Sequence, residues 1–161
     1  MSKQTKGLGI NIHEIKEISF ANKINEDLIE RFDDEKVEIK LGYAVRGDFE
    51  KKSITIGVIV HFYSTDSSSK PKEFLKLETT TTFHLQNFTD DDIKFTDGNK
   101  KIFINDNLMQ VFLNTAIGST RGMLAYKMAS LPINICLPLF NMDNLIPKNK
   151  STKKARSKKE A

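Results

Sequence analysis

The sequence has little with which to hold a small domain together other than the burial of apolar side chains. One cysteine, Cys136, occurs among 161 residues, and tryptophan is absent. A single cysteine cannot form a disulfide within the chain and cannot supply a multi-cysteine zinc site. These absences exclude the small disulfide-stabilised and zinc-stabilised classes of domain. Stability must therefore come from a hydrophobic core.

Long apolar runs are also absent from the sequence. No stretch approaches the roughly 20 apolar residues that a membrane-spanning helix requires. Residues 1–10 (MSKQTKGLGI) lack the apolar segment of a signal peptide. We therefore expect no membrane insertion and a cytoplasmic location. The length fits one domain rather than two.

Positive charge is concentrated at the C-terminal end. The formal net charge is +4, but residues 148–161 alone contain seven Lys or Arg and one Glu. They contain no large apolar residue, which predicts a disordered basic tail after a folded domain at residues 1–147. A solvated charge run is the simplest interpretation of this tail. Weak attraction to nucleic acid, anionic lipid or an acidic partner is the alternative.

Alternation of apolar and polar residues predicts long β-strands in the first half of the chain. Residues 36–46, 53–63 and 73–87 alternate with period two, as half-buried strands do. A turn at residues 48–52 joins the first two of these strands into a hairpin. The segment 13–20 alternates less regularly, which predicts an earlier strand with a bulge.

The pattern becomes helical from Asn105 or Asp106, either of which is a good N-cap, to about Ser130. Just before it, Asp97-Gly98 predicts a small hairpin, and a short helical turn is expected near residues 141–146. The predicted class is α+β, with a four-stranded antiparallel sheet packed on one long C-terminal helix. The large side chains expected to pack on the sheet are Leu113, Ile117, Leu124 and Met128.

A second stripe on the predicted helix consists of small residues. Gly118 and Gly122 each cost about 0.5 to 1 kcal/mol relative to Ala in a helix interior. Close approach of another helix would compensate for this cost, whereas an ordinary glycine kink is the alternative. Because the chain has one long helix, a second copy would have to supply the partner. The predicted oligomer interface comprises Thr115, Gly118, Gly122, Ala125 and Ala129.

Residues with catalytic or metal-binding chemistry are few. His13, His61 and His84 lie in predicted strands at no metal-ligand spacing, although His61 and His84 could meet across neighbouring strands. Cys136 lies in an apolar run, where a small buried thiol is expected. Neither a P-loop nor a G-x-S-x-G motif occurs. We therefore predict no enzyme, no cofactor and no metal site.

Short stretches near both ends of the predicted domain resemble the SecB-type export chaperones. Residues 12–20 (IHEIKEISF) are similar to the first strand of that family. Residues 130–132 (SLP) and 137–145 (LPLFNMDNL) look like its small-aromatic-Pro step and its N-F-D-x-L signature. The resemblance extends over about residues 10–146.

The resemblance implies an assembly and an activity as well as a fold. It implies a homo-oligomer, either a dimer or a tetramer. The tetramer of the family is a dimer of dimers whose long helices meet at the centre. The implied activity is ATP-independent binding of unfolded or precursor polypeptides, either in protein export with the SecA motor or as a chaperone of unstable antitoxins. Among the sheet carboxylates with which the family docks SecA, Glu17 has a counterpart position.

An apolar client-binding groove is predicted from the crossover at residues 21–35 and the C-terminal segment at 131–147. Both are too apolar for ordinary solvated loops, although the same residues could simply complete the core. A nucleic-acid-binding or small-ligand-binding module using the basic tail and the sheet is the competing class. Nucleic acid is disfavoured because the strand faces lack clustered Lys or Arg beside exposed aromatics. The predicted client-binding residues are Phe20, Ile24, Leu28, Ile29, Phe32, Phe140, Met142 and Leu145.

Overall fold

The computed structural model describes residues 7–65, 70–96, 98 and 101–147. The basic tail predicted at residues 148–161 lies outside this part of the chain. In the described residues, four long strands form one antiparallel sheet in the order β1-β4-β3-β2. The strands are β1 (Gly9–Asn22), β2 (Val37–Asp48), β3 (Ser53–Ser64) and β4 (Lys72–Gln86).

Strand β1 is longer than its alternation predicted. The predicted bulge is confirmed, because the register against β4 shifts between Ile12 and Glu14 and again between Glu17 and Ser19. Pairing with residues 75–86 of β4 gives hydrogen-bond partners to backbone groups of β1 beyond residues 13–20, whatever the side-chain pattern. β1 and β2 are the two edges of the sheet.

The remaining elements fill the connections between and after the strands. Helix α1 (Glu26–Glu30) and a 3₁₀ turn lie in the crossover, and a small hairpin, β5 (Ile93–Thr96) with β6 (Lys101–Ile104), follows β4. The long helix α2 (Asp106–Met128) begins at Asn105, whose side chain accepts the Leu108 N–H at 2.9 Å. A short helix, α3 (Met142–Leu145), ends the described chain.

Helix α2 covers one face of the sheet, where the two central strands are most deeply buried. The hydroxyl groups of Thr79 on β4 and Thr120 on α2 lie 2.7 Å apart in the core, and the rings of Phe83 and Phe112 pack 4.8 Å apart. The α+β class with a four-stranded antiparallel sheet and one long helix is confirmed. The predicted large stripe is buried at Leu113, Ile117, Leu124 and Met128.

The C-terminal segment returns alongside α2 and completes the second layer. Arg121 donates from Nε to the Leu137 carbonyl and from Nη2 to the Pro138 carbonyl, both at 2.9 Å. Ile133, Ile135 and Leu137 alternate into the core. The intervening Cys136 is therefore exposed, and the expectation of a buried thiol is wrong.

The β5–β6 hairpin packs directly on the backbone of β2 at Gly47. A Cβ atom at this position would lie 2.5 Å from Ile102 Cδ1 and 2.6 Å from Phe95 Cε1. Only glycine leaves room for so close an approach. The hairpin is thereby held at the edge of the sheet, where it forms one wall of the groove described below.

Within the described residues, no helix is both long enough and apolar enough to cross a membrane.

Candidate functional site

The crossover members of the predicted groove lie at one end of the sheet. The Lys23 N–H donates to the Phe74 carbonyl at 2.8 Å, and Phe32 packs edge-on against Phe74 at 6.3 Å between centroids. Three of the four apolar side chains are half-buried against the core, whereas Ile29 is 39% exposed. We call this set the crossover patch: Ile24, Leu28, Ile29 and Phe32.

The C-terminal members lie well away from the crossover patch. The Tyr43 hydroxyl donates to the Leu145 carbonyl at 2.9 Å. Phe140 and Met142, a few residues before Leu145 in the chain, are half-buried. Tyr43 is six residues along β2 from Val37, where the crossover enters the strand. That separation corresponds to roughly 20 Å at about 3.4 Å per residue. The structure thus divides the predicted groove into two separate surfaces.

An apolar groove does occur at the C-terminal site, with a volume of about 370 Å³. Its walls come from β2, the β5–β6 hairpin, the first turn of α2 and the end of the described chain. Phe103 in its wall is 47% exposed. We call this feature the C-terminal groove; it is lined by Tyr43, Val45, Ile102, Phe103, Ile104, Asp106, Met109, Ile146 and Pro147.

The hairpin and α2 residues of this groove were missed by sequence reasoning. A usable signal was present, because Ile102, Phe103 and Ile104 are three consecutive apolar residues. In a two-stranded hairpin, alternation must turn at least one of them away from the core. Here Ile104 is buried and Phe103 is exposed.

The cavity beside the crossover patch has a different character. Its volume is about 280 Å³, and charged side chains of both signs dominate its lining. The ion pair between Lys36 and Asp33, 3.4 Å long, lies in this wall. Apolar client side chains are poorly suited to such a site, since its charged groups would lose hydration. The charged lining residues are Lys23, Asp27, Arg31, Asp33, Lys36, Lys72 and Glu73.

Phe20 and Glu17 belong to neither surface, and both contact Lys127 at the end of α2. Lys127 Nζ lies 2.7 Å from Glu17 Oε2 and 4.8 Å from the centre of the Phe20 ring. The carboxylate that the resemblance matches to SecA docking is therefore already paired with a lysine of the same chain.

Strand β1 carries exposed aliphatic side chains that sequence reasoning did not single out. Ile12 and Ile18 are each 53% exposed and Ile15 is 39% exposed. Edge strands of stable domains are usually blunted by charge, proline or cover. The two bulges of β1 and its interspersed charges, among them Glu14 and Lys16, which pair with each other at 2.9 Å, leave these three side chains uncovered.

The small-residue stripe of α2 faces away from the sheet. A Cβ atom built at Gly118 or Gly122 would meet nothing within 4 Å. Ala125 and Ala129 are exposed, and Tyr126 beside them is 82% exposed. Within the described residues, this face has room for another backbone to approach closely.

The three histidines occupy the other face of the sheet. Pairing places His61 opposite Lys76 and His84 opposite Ser53, so these two histidines do not meet across the strands, the alternative that the sequence left open. Instead, the His84 ring stacks on His13. Within the described part of the chain, no cluster of three or more His, Cys, Asp or Glu residues is suited to hold a metal ion.

His61 and Glu73 form the tightest ion-pair geometry on that face, with 2.6 Å between Nδ1 and Oε2. This hydrogen bond lowers the pKa of Glu73 below its ordinary value of 4.5, and the positive charges of Lys23 and Lys76 lower it further. Partial burial acts in the opposite direction. The ionised carboxylate of Glu73 is thus favoured by the fold.

Glu73→Gln should destabilise the fold only while the wild-type carboxyl is ionised. A depressed folded-state pKa contributes stability above the ordinary pKa, and this contribution is lost as the pH falls through the folded-state value. Because both side chains are partly exposed, we expect a loss of less than about 1 kcal/mol at neutral pH. Denaturant unfolding of both proteins across acidic pH measures the difference. A difference that persists or grows in acid would contradict the assignment.

Comparisons with known proteins find distant structural neighbours among solved structures, two of which are a SecB-like chaperone and a protein of unknown function. No family model and no curated protein matches the sequence. A SecB-like chaperone of Mycobacterium tuberculosis, in complex with a ChAD peptide from an antitoxin, is similar over 82% of this chain and 91% of that chain, with 10% identity and a TM-score of 0.48. A protein of unknown function from Streptococcus agalactiae is similar over 83% of this chain and 100% of that chain, with 9% identity and a TM-score of 0.43.

Proposed function

We propose that this protein is an ATP-independent chaperone of the cytoplasm, a holdase that binds unfolded or precursor polypeptides. The observation that carries the proposal is the C-terminal groove. Its lining is mainly aliphatic and aromatic, and Asp106 is its one charged residue among those that the structure describes. Exposed apolar concavities of this kind usually mark binding sites.

The chemistry of the groove suits many client sequences. Met109 lines it, and the unbranched, polarizable side chain of methionine adapts to different apolar partners. A client in extended conformation would place apolar side chains in the groove while its backbone makes sequence-independent hydrogen bonds. The proposal requires neither nucleotide nor a catalytic step.

The family resemblance offers two uses for this activity, in protein export and in antitoxin chaperoning. Docking of SecA at Glu17 would have to displace Lys127, which pairs with that carboxylate at 2.7 Å. Among the described residues, no ion pair involves a side chain of the C-terminal groove, so binding of an unstable antitoxin segment there would break none. We therefore favour peptide segments over the motor as the partner of the described surfaces.

We also propose that the chaperone is a homo-oligomer, with the small-residue face of α2 as one contact. The exposed edge of β1 supplies a second contact, since its sequence is self-complementary. Antiparallel pairing of two copies about Ile15 places Glu14 of one copy opposite Lys16 of the other. Opposite charges directly across an antiparallel pair are stabilising. Pairing of this kind would also cover the exposed isoleucines.

A side-by-side binding experiment tests the function. The protein should delay aggregation of a chemically unfolded client at near-stoichiometric ratio without nucleotide, because the groove alone supplies the affinity. Light scattering follows aggregation, and fluorescence anisotropy with labelled single-stranded DNA measures the competing activity. Protection without DNA binding supports the holdase. Tight DNA binding without protection of any client would overturn it in favour of a nucleic-acid-binding module.

A further inference from the structure

A third concave site, separate from the C-terminal groove and from the cavity beside the crossover patch, lies on the face of the sheet opposite α2, beside the turn between β2 and β3. Its volume is about 450 Å³, and all four long strands contribute to its walls. It has no lining residue in common with the C-terminal groove. Its one lining residue on β1 is His13, which stacks on His84 on the face of the sheet away from α2. Its chemistry is that of a polar site rather than an apolar one.

Register explains why polar side chains converge there. Arg46 on β2 is opposite Thr55 on β3, which is opposite Thr82 on β4. The two threonine hydroxyl groups lie 3.0 Å apart. In such a pair one hydroxyl donates to the other, which leaves a hydrogen on the accepting hydroxyl for a ligand.

The charge balance of the cavity leaves one cation uncompensated. Asp48 is the single carboxylate in its lining, and it accepts the Lys51 N–H at 3.1 Å while Lys51 Nζ lies 3.6 Å away. Glu14 on β1 forms an ion pair with Lys16, with 2.9 Å between Oε1 and Nζ. Among the described residues, Arg46 has neither an ion pair nor a side-chain hydrogen bond.

Two histidines close the cavity on the side of β1 and β4. The rings of His13 and His84 stack with 4.1 Å between centroids and 9° between planes. Each imidazole carries an N–H donor at its edge, and a protonated ring carries two. Both rings line the cavity, so each can offer an N–H donor to an anion there.

We propose that this cavity binds a phosphate group, carried by inorganic phosphate or by a small phosphorylated molecule. The planar guanidinium of Arg46 suits bidentate binding of phosphate oxygens. The hydroxyls of Thr55 and Thr82 and the imidazole edges of His13 and His84 supply further donors. The site is independent of client binding in the C-terminal groove.

Titration with inorganic phosphate at constant ionic strength tests this site. The imidazole proton resonances of His13 and His84 should shift together and saturate, whereas chloride should produce no saturable shift. Arg46→Met should weaken phosphate binding roughly tenfold or more, because a charged hydrogen-bond donor is lost. The matched control is Lys40→Met, a lysine-to-methionine change on the same face of β2, six residues from Arg46.

A parallel titration with adenosine monophosphate separates the two sources of the phosphate group. Tighter binding than inorganic phosphate assigns the site to phosphorylated small molecules, and equal binding assigns it to the phosphate group alone; both support the proposal. Shifts that fail to saturate would overturn it. So would equal loss of affinity in Arg46→Met and Lys40→Met, since that result indicates general screening. Circular dichroism checks that both variants are folded.

Discussion

Replacing Phe103 by aspartate should abolish protection of an unfolded client while leaving the fold and the assembly intact. The side chain is 47% exposed, so its loss removes little core packing. Full burial of a phenylalanine side chain is worth about 1.5 to 3 kcal/mol, so burial of the exposed half of Phe103 by a client is worth roughly 0.7 to 1.5 kcal/mol, a three- to tenfold change in client affinity. The new carboxylate would also have to remain hydrated, and this excludes apolar client side chains from the C-terminal groove.

Two further variants make this prediction specific. Leu139→Asp is the matched control, because Leu139 is 87% exposed and is not among the residues that line the C-terminal groove. Ile29→Asp tests the crossover patch in the same aggregation assay. Only Phe103→Asp should lose protection. Loss in Ile29→Asp with full protection by Phe103→Asp would move client binding to the crossover, and equal loss in Leu139→Asp would remove the case for one groove.

Gly122→Leu should separate the proposed oligomer into smaller units without destabilising the subunit. A leucine in place of glycine favours the helix by roughly 0.8 to 1 kcal/mol, and a Cβ atom at this position meets nothing within 4 Å. The bulky side chain nevertheless prevents the close backbone approach that a small-residue interface requires. We expect a change from oligomer to smaller species with an unchanged or higher thermal midpoint.

Sedimentation velocity and thermal unfolding together measure this result. Ala44→Leu is the control, since it adds the same side chain at an exposed position on the opposite face of the sheet. The control should remain assembled. A wild-type monomer at micromolar concentration would contradict the interface outright, and a Gly122→Leu protein that stays assembled would move the contact away from α2.

The strands and the long helix could be predicted because each carries a periodic signal of its own. The alternation of residues 53–63 appears as β3 at Ser53–Ser64, and the N-cap at Asn105 is where α2 begins. In such elements, the spacing of apolar side chains along the sequence is enough to indicate which face is buried. Their existence and their buried faces could therefore be read without tertiary information.

The composition of the groove could not be predicted in the same way, because it depends on how distant segments meet. Arg121 holds the C-terminal segment beside α2 by hydrogen bonds. The hairpin can pack closely on β2 because Gly47 has no side chain there. Neither contact is encoded in a local period. Phe140 and Leu28 were grouped because both are apolar, whereas the fold places their segments at different ends of β2.

The exposure of Cys136 offers a direct test of the proposed assembly. It is the one thiol of the chain, and its neighbours Ile135 and Leu137 are buried, so the backbone that holds it is well anchored. A maleimide spin label would attach to the native protein once per subunit, without any mutation. Distances between labels, measured by pulsed electron resonance, would then distinguish copies joined through α2 from copies joined along β1.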